Sequence, residues 1–224
     1  MQKSIVILLI FSSLFAFSQK GKVGKLIYSD NFNKDLSNWK VEFEIPKTSS
    51  VQLIDSKLDL VSSKGATVWL DHKLSGNIMI IYDVTLVDKG GAMDRVSDLN
   101  AFWMATDPAN KNLFTRNGNF ASYDNLDLYY AGVGGHDNTF TRFRKYHSNG
   151  DKPVLKEYTD KEHLLVGNRK YSVKIIVNNG LIQYYLNNEL YWELKDETPY
   201  KTGYFGFRTT ISHQQFENFK VYQL

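Results

Sequence analysis

Most of the side chains that could do chemistry fall between Asp88 and Ser148, where Gly, Asp, Asn, Arg and His crowd between aromatic residues. In Asn138-Thr139-Phe140-Thr141-Arg142-Phe143-Arg144-Lys145-Tyr146 the two arginines and the tyrosine are spaced two apart. A strand alternates its side chains, so Arg142, Arg144 and Tyr146 would share one face. Two guanidiniums and a phenol there form a clamp for a carboxylate or sulfate, because arginine grips such groups with paired donors. Just upstream, Tyr129-Tyr130-Ala131-Gly132-Val133-Gly134-Gly135-His136 sets an imidazole on a tightly turned loop. Imidazole is the group most easily tuned to exchange protons near neutral pH. Asp94-Arg95-Val96-Ser97-Asp98-Leu99-Asn100-Ala101-Phe102-Trp103 adds a guanidinium, an amide and an indole. Arg208-Thr209-Thr210-Ile211-Ser212-His213 adds another arginine and a second histidine late in the chain.

Arg, His and Tyr together suit β-elimination on a uronic acid. The carboxylate must be neutralised, a base must take the C5 proton, and an acid must protonate the group leaving C4. The residue types assign His136 and Tyr146 as base and acid in either order, with His213 in reserve. Arg144 and Arg95 neutralise the carboxylate, Trp103 and Tyr130 stack on the sugar, and Arg142, Arg208 and Asn100 complete the substrate contacts. The leaving group is either the next sugar, as in a lyase, or a hydroxyl departing as water. Two other readings stand beside this one: a non-catalytic carbohydrate-binding module, and an atypical glycoside hydrolase using Asp94, Asp98 or Asp127. The paired-carboxylate pattern Glu-x-Asp-x-x-Glu does not occur, and Glu42-x-Glu44 lacks its surroundings. No His-x-x-x-His metal pattern occurs either, and no cofactor is expected. A structural calcium on Asp30 and backbone carbonyls is the one metal reading considered.

The elements that must position these groups are strands. Alternating stretches of five to nine residues, broken by Gly, Asn, Asp and Lys, recur along the chain, and sustained helical periodicity is missing. Leu58–Val61, Thr67–Leu70, Gly203–Arg208 and Phe216–Tyr222 read as strands, and the β-branched run Ile78–Val87 reads as a central one. Tyr171–Val177 and Leu181–Leu186 flank Asn179-Gly180, a strong hairpin signal, and Asn187-Asn188 turns again into Leu190–Trp192. The pattern predicts an all-β jelly-roll sandwich of two antiparallel sheets, concanavalin-like, whose first strand near Asp30 pairs with the last.

Net charge is only +3 with acids and bases interspersed, which argues against nucleic acid. Lys3, the apolar run Ser4–Phe17 and the small residues at Ala16 and Ser18 read as a secretory signal over residues 1–18, too short to span a bilayer. The remaining 19–224 is expected to be one catalytic domain, monomeric and secreted or periplasmic, with no membrane insertion once the signal is cleaved and a saccharide as its partner. The chain contains no cysteine, so its stability must come from packing.

The strings Asp94–Asn100, Phe102-Trp103-Met104, Tyr129–Gly132, Gly134-Gly135-His136, Asn138-Thr139, Thr141–Arg144 and Gly206–Thr209 resemble an uncharacterised concanavalin-like family. That family occurs in polysaccharide-utilisation loci of Bacteroidetes, beside lyases and sulfatases. The chain is also similar to oligosaccharide dehydratases of marine flavobacteria, which act in ulvan breakdown and remove water from a non-reducing-end uronate. The resemblance implies a secreted protein acting on uronate-rich, often sulfated saccharides, with some preference for chain ends.

Overall fold

The computed structural model describes residues 24–224, and the expected signal segment lies outside them. Sixteen strands follow in chain order: β1 (Lys25–Asp30), β2 (Trp39–Phe43), β3 (Ser50–Ile54), β4 (Lys57–Ser62), β5 (Ala66–Leu70), β6 (Leu74–Ser75), β7 (Ile78–Leu86) and β8 (Leu99–Thr106). The second half holds β9 (Asp127–Gly134), β10 (Phe140–Tyr146), β11 (Val154–Tyr158), β12 (Lys170–Asn178), β13 (Leu181–Leu186), β14 (Glu189–Lys195), β15 (Thr202–Thr209) and β16 (Ser212–Gln223). They form two antiparallel sheets, the sandwich that the alternation predicts. The first runs β14-β13-β12-β7-β16-β4-β3, with β1 on β16. The second runs β11-β10-β9-β8-β15-β5-β2, with β6 on β15.

Local sequence explains the turns. Asn179 and Gly180 have φ of 49° and 82°, and Asn187 and Asn188 have 51° and 68°. Positive φ at both central residues gives the turn whose twist matches the flanking strands. β1 pairs with β16, so the expected contact between first and last strands forms. β7 lies between β12 and β16, central as its β-branched content demands.

Between the sheets Trp39, Tyr82, Phe205, Phe207 and Phe219 form one aromatic group, and Trp103, Tyr129, Phe143, Tyr184 and Trp192 another. The second sheet is covered on its outer face too. There Leu113, Tyr123 and Leu126, from the segment between β8 and β9, pack on Trp69, Phe102 and Leu128. Strands buried on both faces lose the polar-apolar alternation, and β8 is buried from Leu99 through Ala105.

Candidate functional site

The outer face of the second sheet carries the site. Cross-strand register aligns Glu42, Thr67, Arg208, Asn100, Gly132, Arg142 and Glu157 in one polar row. The adjacent row runs Trp69, Gly206, Phe102, Tyr130 and Arg144. Residues directly opposite one another project to the same side, so these two rows form a single surface. Tyr130 leans along β9 over Gly132: a methyl group placed at Gly132 would lie 2.3 Å from the Tyr130 hydroxyl. Its phenol therefore reaches the polar row, while its ring packs against Phe102, Phe120 and Tyr146 at centroid distances of 5.6, 5.6 and 5.9 Å. Burial pushes the phenol well above its usual range, helped by Tyr146 and Asp98 and opposed by Arg208 and Arg144. Tyr130 thus holds its proton firmly.

Three buried polar atoms around it have no hydrogen-bond partner among the described residues: Asn100 Oδ1, Arg208 Nε and Tyr146 Oη. Each such group costs roughly 1–3 kcal/mol when left unpaired. Arg208 is 1% exposed; its Nη1 donates to the Gly118 carbonyl at 2.7 Å, and its guanidinium lies over Phe120 and Tyr123.

Above this floor opens a pocket of about 290 Å³, walled by Phe120, Phe140, Arg95, Asp98, Thr210 and the turn Gly135-His136-Asp137. The turn is left-handed, with φ of 65° at Gly134, 50° at His136, 58° at Asp137 and 59° at Asn138. For residues other than glycine this conformation costs roughly 1–2 kcal/mol each, and such strain clusters at ligand sites. Tertiary bonds hold it: Asn138 accepts from the Leu165 amide and donates to the Leu165 carbonyl, both at 2.8 Å. Arg95 braces the turn from the other side. Its guanidinium binds Asp137 and, at 2.5 Å, Asp98, and its Nε donates to the Ile211 carbonyl at 2.7 Å.

Phe120, one wall of the pocket, belongs to the segment from Asp107 to Leu126. Arg116 ties it together, donating to the Ser122 and Leu113 carbonyls and to Asp107 at 2.7 Å. Buried Glu42 fastens it to the sheet by accepting from the Arg116 amide, the Tyr123 hydroxyl and the Trp69 indole.

Arg95, Asn100, Tyr130 and His136, all singled out from sequence, line this pocket. Arg144, Arg208 and Tyr146 lie close enough to Tyr130 to act on it electrostatically. Arg142, Arg144 and Tyr146 share one face, as period two requires, but Arg142 is paired with Glu157 and stacked 4.0 Å over Phe140. Four expectations need correction. Trp103 points between the sheets, stacked on Tyr129 and Tyr184 with no surface exposed, so it cannot receive a sugar. Tyr146 is fully buried, which leaves Tyr130 as the phenol in reach of a ligand. Arg95 is already engaged by two carboxylates. His213 sits on β16 in the other sheet, both ring nitrogens facing carboxylates.

Asp98, Asp137, Phe120, Phe140 and Thr210 complete the pocket. In sequence Asp98 stands out only as a hydrolytic carboxylate, and the others carry no local signal that marks them. Asp94 and Asp127, the remaining carboxylates of that reading, are spent elsewhere: Asp94 on His213 and backbone amides, Asp127 on the Ser148 amide. Asp30, the expected calcium ligand, accepts from the Phe32 amide and the Trp39 indole. Among the described residues no group of three His, Cys, Asp or Glu side chains is placed to hold a metal.

The fold recurs in solved structures at low identity. A protein of unknown function with a galectin-like fold from Bacillus subtilis superposes with a TM-score of 0.72 at 17% identity, covering 90% of this chain and 97% of that one. The carbohydrate-binding module CBM66 from Bacillus subtilis gives 0.57 at 16% identity, covering 83% and 96%. LamA from Z. galactanivorans, in complex with laminaritriose and laminaritetraose, gives 0.60 at 13% identity, covering 90% and 100%. No curated protein matches the sequence. The family pattern described as a domain of unknown function, DUF6250, matches residues 60–219. That span takes in both rows of the site except Glu42, and the chain belongs to the DUF6250 family.

Proposed function

We propose that the pocket binds a uronic-acid residue of an oligo- or polysaccharide and catalyses β-elimination across its C4–C5 bond. The observation that carries this reading is a phenol, Tyr130, and an exposed imidazole, His136, lining one pocket above a floor of buried polar side chains. His136 removes the C5 proton. The C–H electron pair becomes the C4–C5 double bond as the oxygen on C4 departs, taking the proton of Tyr130. His136 then returns its proton to the phenolate, directly or through solvent. The positive charges of Arg144 and Arg208, which act on Tyr130 through space, stabilise the negative charge that develops on the sugar carboxylate.

The saccharide class is supported by the company the fold keeps, since two of its neighbours are described by the sugars they bind or the module they form. An anionic sugar is supported by the arginines around Tyr130. The leaving group is water at a chain end or the next sugar at an internal cut, and the resemblance noted in the sequence favours the chain end. Export and action outside the cytoplasm follow from the signal-like N-terminus.

A second reading, sugar binding without turnover, is favoured by the likeness to CBM66. Mass-resolved chromatography of uronate oligosaccharides, ulvan fragments included, separates the two. The elimination reading expects a product lighter by one water, or shorter unsaturated fragments, and expects His136→Ala to abolish turnover while sparing affinity. Unchanged substrates that nevertheless bind would overturn it in favour of a binding module.

A further inference from the structure

His213 lies outside the pocket, yet its contacts lead into it. Nδ1 faces Asp94 Oδ1 at 3.0 Å and Nε2 faces Asp59 Oδ1 at 2.9 Å. Asp59 projects from β4 and also accepts from Gln215 at 2.8 Å. Asp94 belongs to the loop between β7 and β8, and its other oxygen, Oδ2, accepts the Lys89 and Gly91 amides at 2.9 and 3.0 Å. Both carboxylates are nearly buried, with 8% of each side chain exposed. Only a doubly protonated ring can donate to both at once. A neutral ring must turn a lone pair toward one of two carboxylate oxygens, and that contact is repulsive.

The loop held this way ends in the pocket. Arg95, next to Asp94, braces Asp98 and the Asp137 side of the left-handed turn, and its Nε is anchored to Ile211, two residues before His213. The Val87 amide closes the arrangement by donating to the His213 carbonyl. We infer that His213 is a positioning residue: its protonated ring pins the loop through Asp94, so that Arg95 holds the turn bearing His136 in its strained, ligand-ready form. The groups facing the ring are Asp59 from β4, Asp94 from the loop and the neutral Gln215 from its own strand. This inference rests on the pocket being the functional site, but its test does not require that any sugar be turned over.

Asp94→Asn supplies the test. An asparagine can keep its oxygen on the Lys89 and Gly91 amides and present its NH₂ to His213, which suits a neutral ring and opposes a protonated one. Amide hydrogen exchange at Lys89 and Gly91 is read on the intact protein from about pH 5 to 9, corrected for intrinsic rates. Wild type should lose about tenfold in protection as pH rises, the scale of one charge-assisted hydrogen bond. Asp94→Asn should show the reverse trend, with protection greater at high pH. Parallel pH profiles in the two proteins, or a flat profile in wild type, would overturn the inference. Sugar affinity and turnover measured on the same samples report separately on the proposed function: a reversed exchange profile with no sugar response would retain the latch and reject the pocket's assignment.

Discussion

Gly132→Ala isolates the contact that aims the Tyr130 phenol. The φ at Gly132 is not in the left-handed region, so alanine meets no backbone strain and acts only through its methyl group. That methyl would lie 2.3 Å from the Tyr130 hydroxyl, 2.6 Å from Cζ and 2.8 Å from Cε1. Carbon neighbours need about 3.5 Å or more, so the ring must move by about 1 Å. Phe102, Phe120 and Tyr146 confine it on the remaining sides. Overpacking of this kind costs about 2 kcal/mol, which in a domain of this size lowers Tm by about 4–8 °C. A 1 Å misplacement of a reacting group is expected to slow turnover about a hundredfold. The assay is a double-mutant cycle by thermal unfolding. In a Tyr130→Ala background the methyl group has room, and the cost of Gly132→Ala should fall below about 0.5 kcal/mol. An equal cost in both backgrounds would refute the reasoning, because the penalty would then not arise from the ring.

Two further outcomes follow from groups on either side of the site. His136→Gly should raise stability by up to about 1 kcal/mol, because glycine relieves the φ of 50°, while eliminating turnover; a loss of stability in thermal unfolding would show that the turn is not strained. At the edge of the sheet, Lys145 and Asp196 form a nearly buried ion pair at 2.8 Å. Burial alone would raise the Asp196 carboxyl, but Lys145, Tyr129 and the Thr198 amide hold it below the usual carboxylate range. Its stabilising effect is therefore present above that range and is lost as pH falls through the depressed value. Lys145→Met should cost about 3–5 kcal/mol near neutrality and much less once acid protonates Asp196, measured by urea unfolding at each pH.

Period-two reading worked where a strand has one polar face or one defined turn. It placed Arg142, Arg144 and Tyr146 together and located the Asn179-Gly180 hairpin. It failed at Trp103 because β8 is buried on both faces, so Phe102 and Trp103 look alike in sequence although one faces the pocket floor and the other the core. A register irregularity follows Trp103, with φ of 54° at Met104, and it erases the remaining cue. His213 was misplaced for a different reason. Which sheet β16 joins is a matter of long-range topology that residue type does not reveal. The segment from Asp107 to Leu126 was equally hidden, since the Glu42 that fastens it lies 74 residues from Arg116.

Unpaired buried polar atoms do not by themselves mark a site in this protein. Trp103 Nε1 and the Tyr82 and Tyr184 hydroxyls are also unpaired, and their residues lie in the core between the sheets. What separates Asn100, Arg208 and Tyr146 from them is position: they lie on the outer face, around a phenol that lines an open pocket, beneath a turn whose strain other parts of the chain maintain. Aromatic layers cover the second sheet on both faces. The aromatic richness of the sequence is thus better explained by supporting the site than by stacking on a ligand, with Tyr130, Phe120 and Phe140 the Phe and Tyr rings that do reach the pocket.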